Sequence, residues 1–134
     1  MFILDSNTIS YYFRGDPHVA PRLQALSPAD IGVPAIVEYE LRYGLMRLTP
    51  EAAAPRMAAL ETLLKPVRIL PFDSACAMRA ARLRADLEIS GTPIGPHDIL
   101  IAATAMRHQA TLVTRNVREF SRVQGLQWVK WHQD

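Results

Sequence analysis

A chain of 134 residues that is 49% apolar and 21% charged is read as one soluble globular domain, residues 1–134. No apolar run nears the roughly 20 residues that a membrane span needs. The opening Met1-Phe2-Ile3-Leu4 also lacks the basic stretch and long apolar core of a signal peptide, so a cytoplasmic protein with no membrane partner is expected.

Phe2-Ile3-Leu4-Asp5 is a short apolar run ending in an acid, like a buried strand whose last residue emerges into a cleft. Ser6 or Asn7 can cap the helix that follows, to about residue 14, where Gly15-Asp16-Pro17 breaks it. A second short helix covers about 18–26, and 30–33 reads as a second strand. Pro34 can open a third helix over about 34–48, with an apolar stripe at Val37, Leu41, Leu45 and Leu48. Thr49-Pro50-Glu51 starts an Ala-rich fourth helix that ends before Pro66. A third strand spans about 67–70. Asp73 caps a long helix to about residue 87, and 89–95 is a loop. Pro96 opens the next helix, to about 108, before a fourth strand at 111–114 and a fifth at 126–129. Strands alternating with helices predict an α/β fold with a central parallel sheet and helices on both faces. In such sheets ligands bind at the carboxyl ends of the strands.

Acids gather at those ends. Asp5 closes the first strand, Glu38 and Glu40 follow the second, and Thr114-Arg115-Asn116-Val117-Arg118-Glu119-Phe120 follows the fourth. Asp98 follows a loop, in the first turn of the helix opened by Gly95-Pro96, before an apolar Ile99-Leu100-Ile101-Ala102-Ala103 that is expected to be buried. Singly, each acid is as well explained as a helix cap, a first-turn residue or a solvated charge. Together in one cleft they repel and stay ionised only beside a cation. Carboxylate oxygens suit hard divalent ions such as Mg²⁺ or Mn²⁺. Such a site can activate water for attack on a phosphodiester.

Other chemistries lack their residues. There is no Gly-rich phosphate loop, no Cys pair for zinc and no Gly-x-Ser-x-Gly elbow. Lone Cys76 cannot close an internal disulfide and reads as a small core residue. His97 adjoins Asp98, but neighbours on a helix point about 100° apart, so it reads as a partly exposed histidine and not a ligand. Trp128 and Trp131 read as core or dimer packing in preference to base stacking. Thirteen of the 15 cations are Arg; with four acids drawn into a site, the 15 face nine elsewhere, a balance permissive for RNA. Glu38 and Glu40 flank the apolar stripe on opposite sides, at about +60° and about −100° from Leu41. Periodicity does not separate them; Gly44, one turn beyond Glu40, leaves space there and favours Glu40 modestly.

Four segments carry a resemblance. They are Leu4-Asp5-Ser6-Asn7-Thr8, Glu40-Leu41-Arg42-Tyr43-Gly44, Gly95-Pro96-His97-Asp98-Ile99-Leu100-Ile101-Ala102-Ala103 and Val113-Thr114-Arg115-Asn116-Val117-Arg118-Glu119-Phe120. In this order and spacing the chain resembles the PIN-domain ribonucleases, and within them the VapC-type toxins. The resemblance implies a three-layer α/β/α fold, a homodimer, and cleavage of RNA with Mg²⁺ or Mn²⁺. It also implies inhibition by a cognate VapB-type antitoxin. Carried over, it makes Asp5, Glu40 and Asp98 the metal ligands, with Glu119 where Asp is common in the family and Ser6 where Thr is common. Asn7, Thr114 and Asn116 would orient the carboxylates. Two rival readings are a different metal-dependent phosphodiesterase or phosphatase, and a non-catalytic module that binds RNA or protein. An aspartyl-phosphate phosphatase usually has a second Asp two residues after the first, where Asn7 stands.

Overall fold

The computed structural model describes residues 1–133. Five parallel strands form one sheet in the order β3-β2-β1-β4-β5: β1 Phe2–Leu4, β2 Ile31–Pro34, β3 Arg68–Leu70, β4 Thr111–Val113 and β5 Trp128–Val129. Helices α1 Ser6–Phe13, α2 Ala20–Gln24, α3 Ala35–Met46, α4 Pro50–Leu64, α5 Ser74–Ile89, α6 Pro96–Arg107 and α7 Val117–Phe120 flank it. This is the expected three-layer α/β arrangement.

β1 lies at the centre because both its faces and both its edges are covered. Ile3 and Leu4 are fully buried, and Leu4 stands opposite Val113 of β4. From β1 the chain builds β2 and β3 to one side, then β4 and β5 to the other. The order reverses at the β1–β4 seam, which is where an open parallel sheet leaves a crevice at its carboxyl edge.

Several boundaries differ from the sequence reading for local reasons. Asp5, and not Ser6 or Asn7, caps α1: its backbone is extended and its carboxylate accepts the Thr8 N–H at 2.9 Å. Asp30 falls in a 3₁₀ turn, Pro28–Asp30, and β2 runs on through Pro34, which caps α3 instead of entering it. Leu48 leaves the apolar stripe and is exposed, since α3 ends at Met46. Thr49 must be extended, both to cap α4 and because Pro50 follows it, so the preceding helix stops short. β5 is only two residues long, and α7 is a short helix that the sequence reading did not anticipate. Thr49 and Asp73 cap α4 and α5 as expected.

The core joins these elements through Ile9, Val33, Val37, Leu60, Ile101, Leu112 and Phe120, all at most 2% exposed. Cys76 is buried as expected. Trp131 is buried against Phe2 with ring centroids 5.7 Å apart, whereas Trp128 keeps part of its surface in solvent. Ile99, Ile101, Ala102 and Ala103 are buried, and Leu100 half-buried. No helix among the described residues is long and apolar enough to cross a membrane.

Phe120 matters most for the site, because it anchors one-turn α7 and so places its neighbour Glu119. Phe120→Ala is expected to cost about 3–5 kcal/mol through loss of buried surface and the cavity left behind. Asp73→Ala, which removes only the α5 cap, is expected to cost about 1 kcal/mol. Urea unfolding of both variants checks this; a Phe120→Ala loss no larger than that of Asp73→Ala would show α7 to be loosely held.

Candidate active site

At the β1–β4 seam Asp5 is buried, at 5% exposed. Burial pushes its carboxyl above the ordinary range, opposed by hydrogen bonds from the Thr114 hydroxyl and from Thr8. The Thr8 hydroxyl donates to the Val113 carbonyl at 3.1 Å, and the Asp5 N–H donates to the same oxygen at 3.4 Å. α1 is thereby tied to the end of β4, and the first carboxylate is held by groups from α1 and from the exit of β4.

The fourth strand's exit supplies the next pair. The Asn116 amide donates to Asp98 Oδ2 at 3.3 Å and to Glu119 Oε2 at 3.2 Å, bridging α6 and α7. The Gly95 N–H points at Glu119 Oε2 from 3.5 Å. A Cβ on Gly95 would stand 3.4 Å from Asp98 Oδ2, so glycine leaves room for the acid pair. Burial, a hydrogen bond to Glu119 and the charges of Glu119, Asp5 and Glu40 push Asp98 up to about 7. The same hydrogen bond holds Glu119 below its usual range. The two form one coupled pair, in which Asp98 is the acid held above its ordinary range and Glu119 the one held below it.

Glu40 comes from α3 on the other side. Its Oε2 is 3.2 Å from His97 Nδ1, while its Oε1 is buried with no hydrogen-bond partner. Glu40, Ser6 and Gly44 line one groove of about 630 Å³, and the space beside Gly44 is open for at least 4 Å. Glu38 faces away: it takes the Arg42 Nε at 2.8 Å, and Arg42 continues to Glu61 at 2.6 Å, joining α3 to α4. The two candidates left tied by helical periodicity therefore separate in space.

Of the expected residues, Asp98 and Glu119 meet at Asn116, Thr114 holds Asp5 beside them at the strand ends, and Glu40 stands on the other side with Ser6 in its groove. Asn7 is exposed, and no hydrogen bond from it to the four acids is present among the described residues. His97 was set aside on helical geometry, yet it reaches Glu40 across 57 residues of chain. Thr8 and the Gly95 N–H were also missed. Thr8 had a legible signal, three residues after Asp5 at the spacing of a helix cap.

As placed, no three acid, His or Cys groups among the described residues converge closely enough to ligate one ion. Asp98 and Glu119 lean on Asn116, and Glu40 leans on His97. The donor set nonetheless fits a hard divalent cation: all oxygen, with one buried oxygen unpaired and one carboxyl pushed up to about 7 by burial and its acidic neighbours.

The PIN domain family matches residues 2–126. The chain belongs to the PIN-domain family. Within it, the chain is similar to the tRNA(fMet)-specific endonuclease VapC of Salmonella typhimurium, 33% identical over 97% of each chain. It is also similar to the ribonuclease VapC2 of Rickettsia felis, 32% identical over 98% of each. Among solved structures, FitAcB from Neisseria gonorrhoeae superposes with a TM-score of 0.91 at 32% identity, covering 99% of this chain and 100% of that one. This PIN domain thus shares its fold end to end with toxin–antitoxin proteins.

The raised Asp98 carboxyl sets the pH dependence of the metal-free protein. The unfolded chain ionises this group near 3.8 and the folded one near 7. Its contribution to stability is therefore complete below about pH 4 and is lost as pH rises toward 7. Asp98→Asn is expected to flatten most of that decline and to melt higher than wild type at pH 7.5 without metal. Thermal melts across pH 4–8 in EDTA check it; an unchanged slope in the variant would mean that Asp98 is not the group being strained.

Proposed function

We propose that this PIN domain is a Mg²⁺- or Mn²⁺-dependent endoribonuclease and the toxin of a toxin–antitoxin pair. Asp5, Glu40 and Asp98 hold the ion and Glu119 completes the cluster. The observation that carries this reading is the buried, unpaired Glu40 Oε1 in a cleft where the charges of Asp5, Glu40 and Glu119 all bear on Asp98. A non-catalytic module has no use for such an arrangement, because buried unpaired carboxylates are costly. The names of the relatives, ribonuclease and tRNA(fMet)-specific endonuclease, support RNA as substrate and make a structured RNA the first to test.

A bound divalent ion would acidify an attacking water and neutralise charge on the scissile phosphate. The chain's own groups then have separable tasks. Thr114 and Thr8 hold the Asp5 carboxylate toward the seam, and Asn116 keeps Asp98 and Glu119 side by side. His97 orients Glu40 from the solvent side. The cognate antitoxin is the expected partner, since similar folds occur in VapBC complexes such as that of Rickettsia felis, with a TM-score of 0.89. The acid cluster that draws a metal also draws a basic side chain.

RNA cleavage is expected to require Mg²⁺ or Mn²⁺ and to stop on chelation. Asp5→Asn, Glu40→Gln and Asp98→Asn should each lower the rate by at least about a hundredfold, each removing a ligand and its charge. Glu38→Gln should change it little. Cleavage assays on the four variants decide; loss with Glu38→Gln and retention with Glu40→Gln would refute the assignment. Competition is expected between Mn²⁺ and the antitoxin, and titration calorimetry showing the two to bind independently would refute inhibition at the cleft.

A further inference from the structure

Glu40 is held by a side chain that is itself half in solvent. A carboxylate oxygen only accepts, so His97 Nδ1 is the donor to Glu40 Oε2, at 3.2 Å. That bond leaves Oε1 as the buried, unpaired oxygen. It does so only while the imidazole stays where it is. The groove beside Gly44 offers a glutamate other rotamers, and an exposed histidine turns freely unless something stops its ring.

What stops it is a row of side chains on α3. The Tyr39 ring meets the His97 ring edge-on, with centroids 5.9 Å apart and planes at 73°. Tyr39 is stacked in turn on Tyr43, at 6.4 Å and 19°. The Arg47 guanidinium stands 6.0 Å from the Tyr43 centroid. Residues 39, 43 and 47 follow at intervals of four, so they share one flank of the helix. Each separation is one at which aromatic and cation–aromatic contacts attract.

These rings do not belong to the core. Tyr39 and Tyr43 are 55% and 56% exposed, so their stacking adds little to the buried surface. Their placement instead joins two helices of the site. His97 and Asp98 are neighbours on α6 whose side chains diverge, Asp98 toward Asn116 and Glu119, His97 toward Glu40. Tyr39 precedes Glu40 in the chain and closes the path from α6 back to α3. A ligand already held in its binding rotamer loses less freedom when the ion arrives.

We infer that Tyr39 is a positioning residue for the metal site: braced on Tyr43, it fixes the His97 ring, and the ring holds Glu40 with Oε1 free to take the ion. The inference rests on the metal-dependent nuclease reading and extends it outward by one residue.

The test is Mn²⁺ binding by the full-length protein without RNA, read from the electron paramagnetic resonance of the unbound ion. Tyr39→Ala and His97→Ala are each expected to weaken binding about tenfold, the usual effect of removing a group that orients a metal ligand. Tyr39→Phe keeps the ring and should keep the affinity. His97→Asn, whose amide can donate near the same place, should recover part of the loss. Because Tyr39 acts through His97, the double alanine variant should bind no more weakly than His97→Ala alone. The metal-free melting temperature of Tyr39→Ala should hardly move, since the ring is exposed. Unchanged Mn²⁺ affinity in Tyr39→Ala would overturn the inference; accompanied by a changed sedimentation coefficient, it would assign the ring to an interface instead. Losses that add in the double variant would overturn it too. Mn²⁺ binding that is absent from wild type, or left intact by Glu40→Gln, would overturn the metal reading itself and the positioning role with it.

Discussion

Two like charges 4 Å apart repel by roughly 4 kcal/mol in the partly screened surroundings of a protein surface. This PIN domain brings four carboxylates to one end of its sheet, and much of its local architecture is arranged around that repulsion. Asp98 and Glu119 titrate as a coupled pair and are held side by side by the Asn116 amide, which donates to both. Asp5 is stabilised as a helix cap and by Thr114. Glu40 has a histidine on one oxygen and nothing on the other. The strain left in the metal-free protein is a deficit of positive charge, and it is the same deficit that a metal ion or a basic side chain would fill.

The sheet supplies the convergence. Because β1 and β4 are neighbours and the strand order reverses between them, residues more than 100 positions apart in the chain, Asp5 and Thr114, leave the sheet side by side. Thr8 and Val113 lock that seam. α3 meanwhile divides its two glutamates. Arg42 draws Glu38 toward α4, and the small Gly44 keeps the other flank open for Glu40. Phe120 plays a comparable part for α7, since a one-turn helix has little stability of its own and is held by what it buries.

Positive charge is distributed to match. Fifteen cations and 13 acids nearly cancel overall, yet four acids are sequestered in the cleft, which leaves the remaining surface basic. A fold of this kind can attract RNA while keeping an acidic centre for chemistry.

Much of this was legible in the chain itself. Alternating strands and helices specified a parallel sheet, and acids at strand exits pointed to the carboxyl edge, because period and turn residues are local properties. Four ordered motifs specified the family. Other features needed the tertiary structure. Helical periodicity alone offered both Glu38 and Glu40, Gly44 and the family resemblance favoured Glu40, and only the tertiary structure shows Glu38 drawn away onto Arg42, which also bonds Glu61. His97 looked idle beside Asp98 because an angle around one helix axis says nothing of a partner on another helix. α7 was invisible since four residues carry no periodicity, and only the pocket that receives Phe120 makes them a helix. The opposite shifts of Asp98 and Glu119 likewise belong to neither residue alone: they exist because folding brings two carboxyl groups within reach of one another.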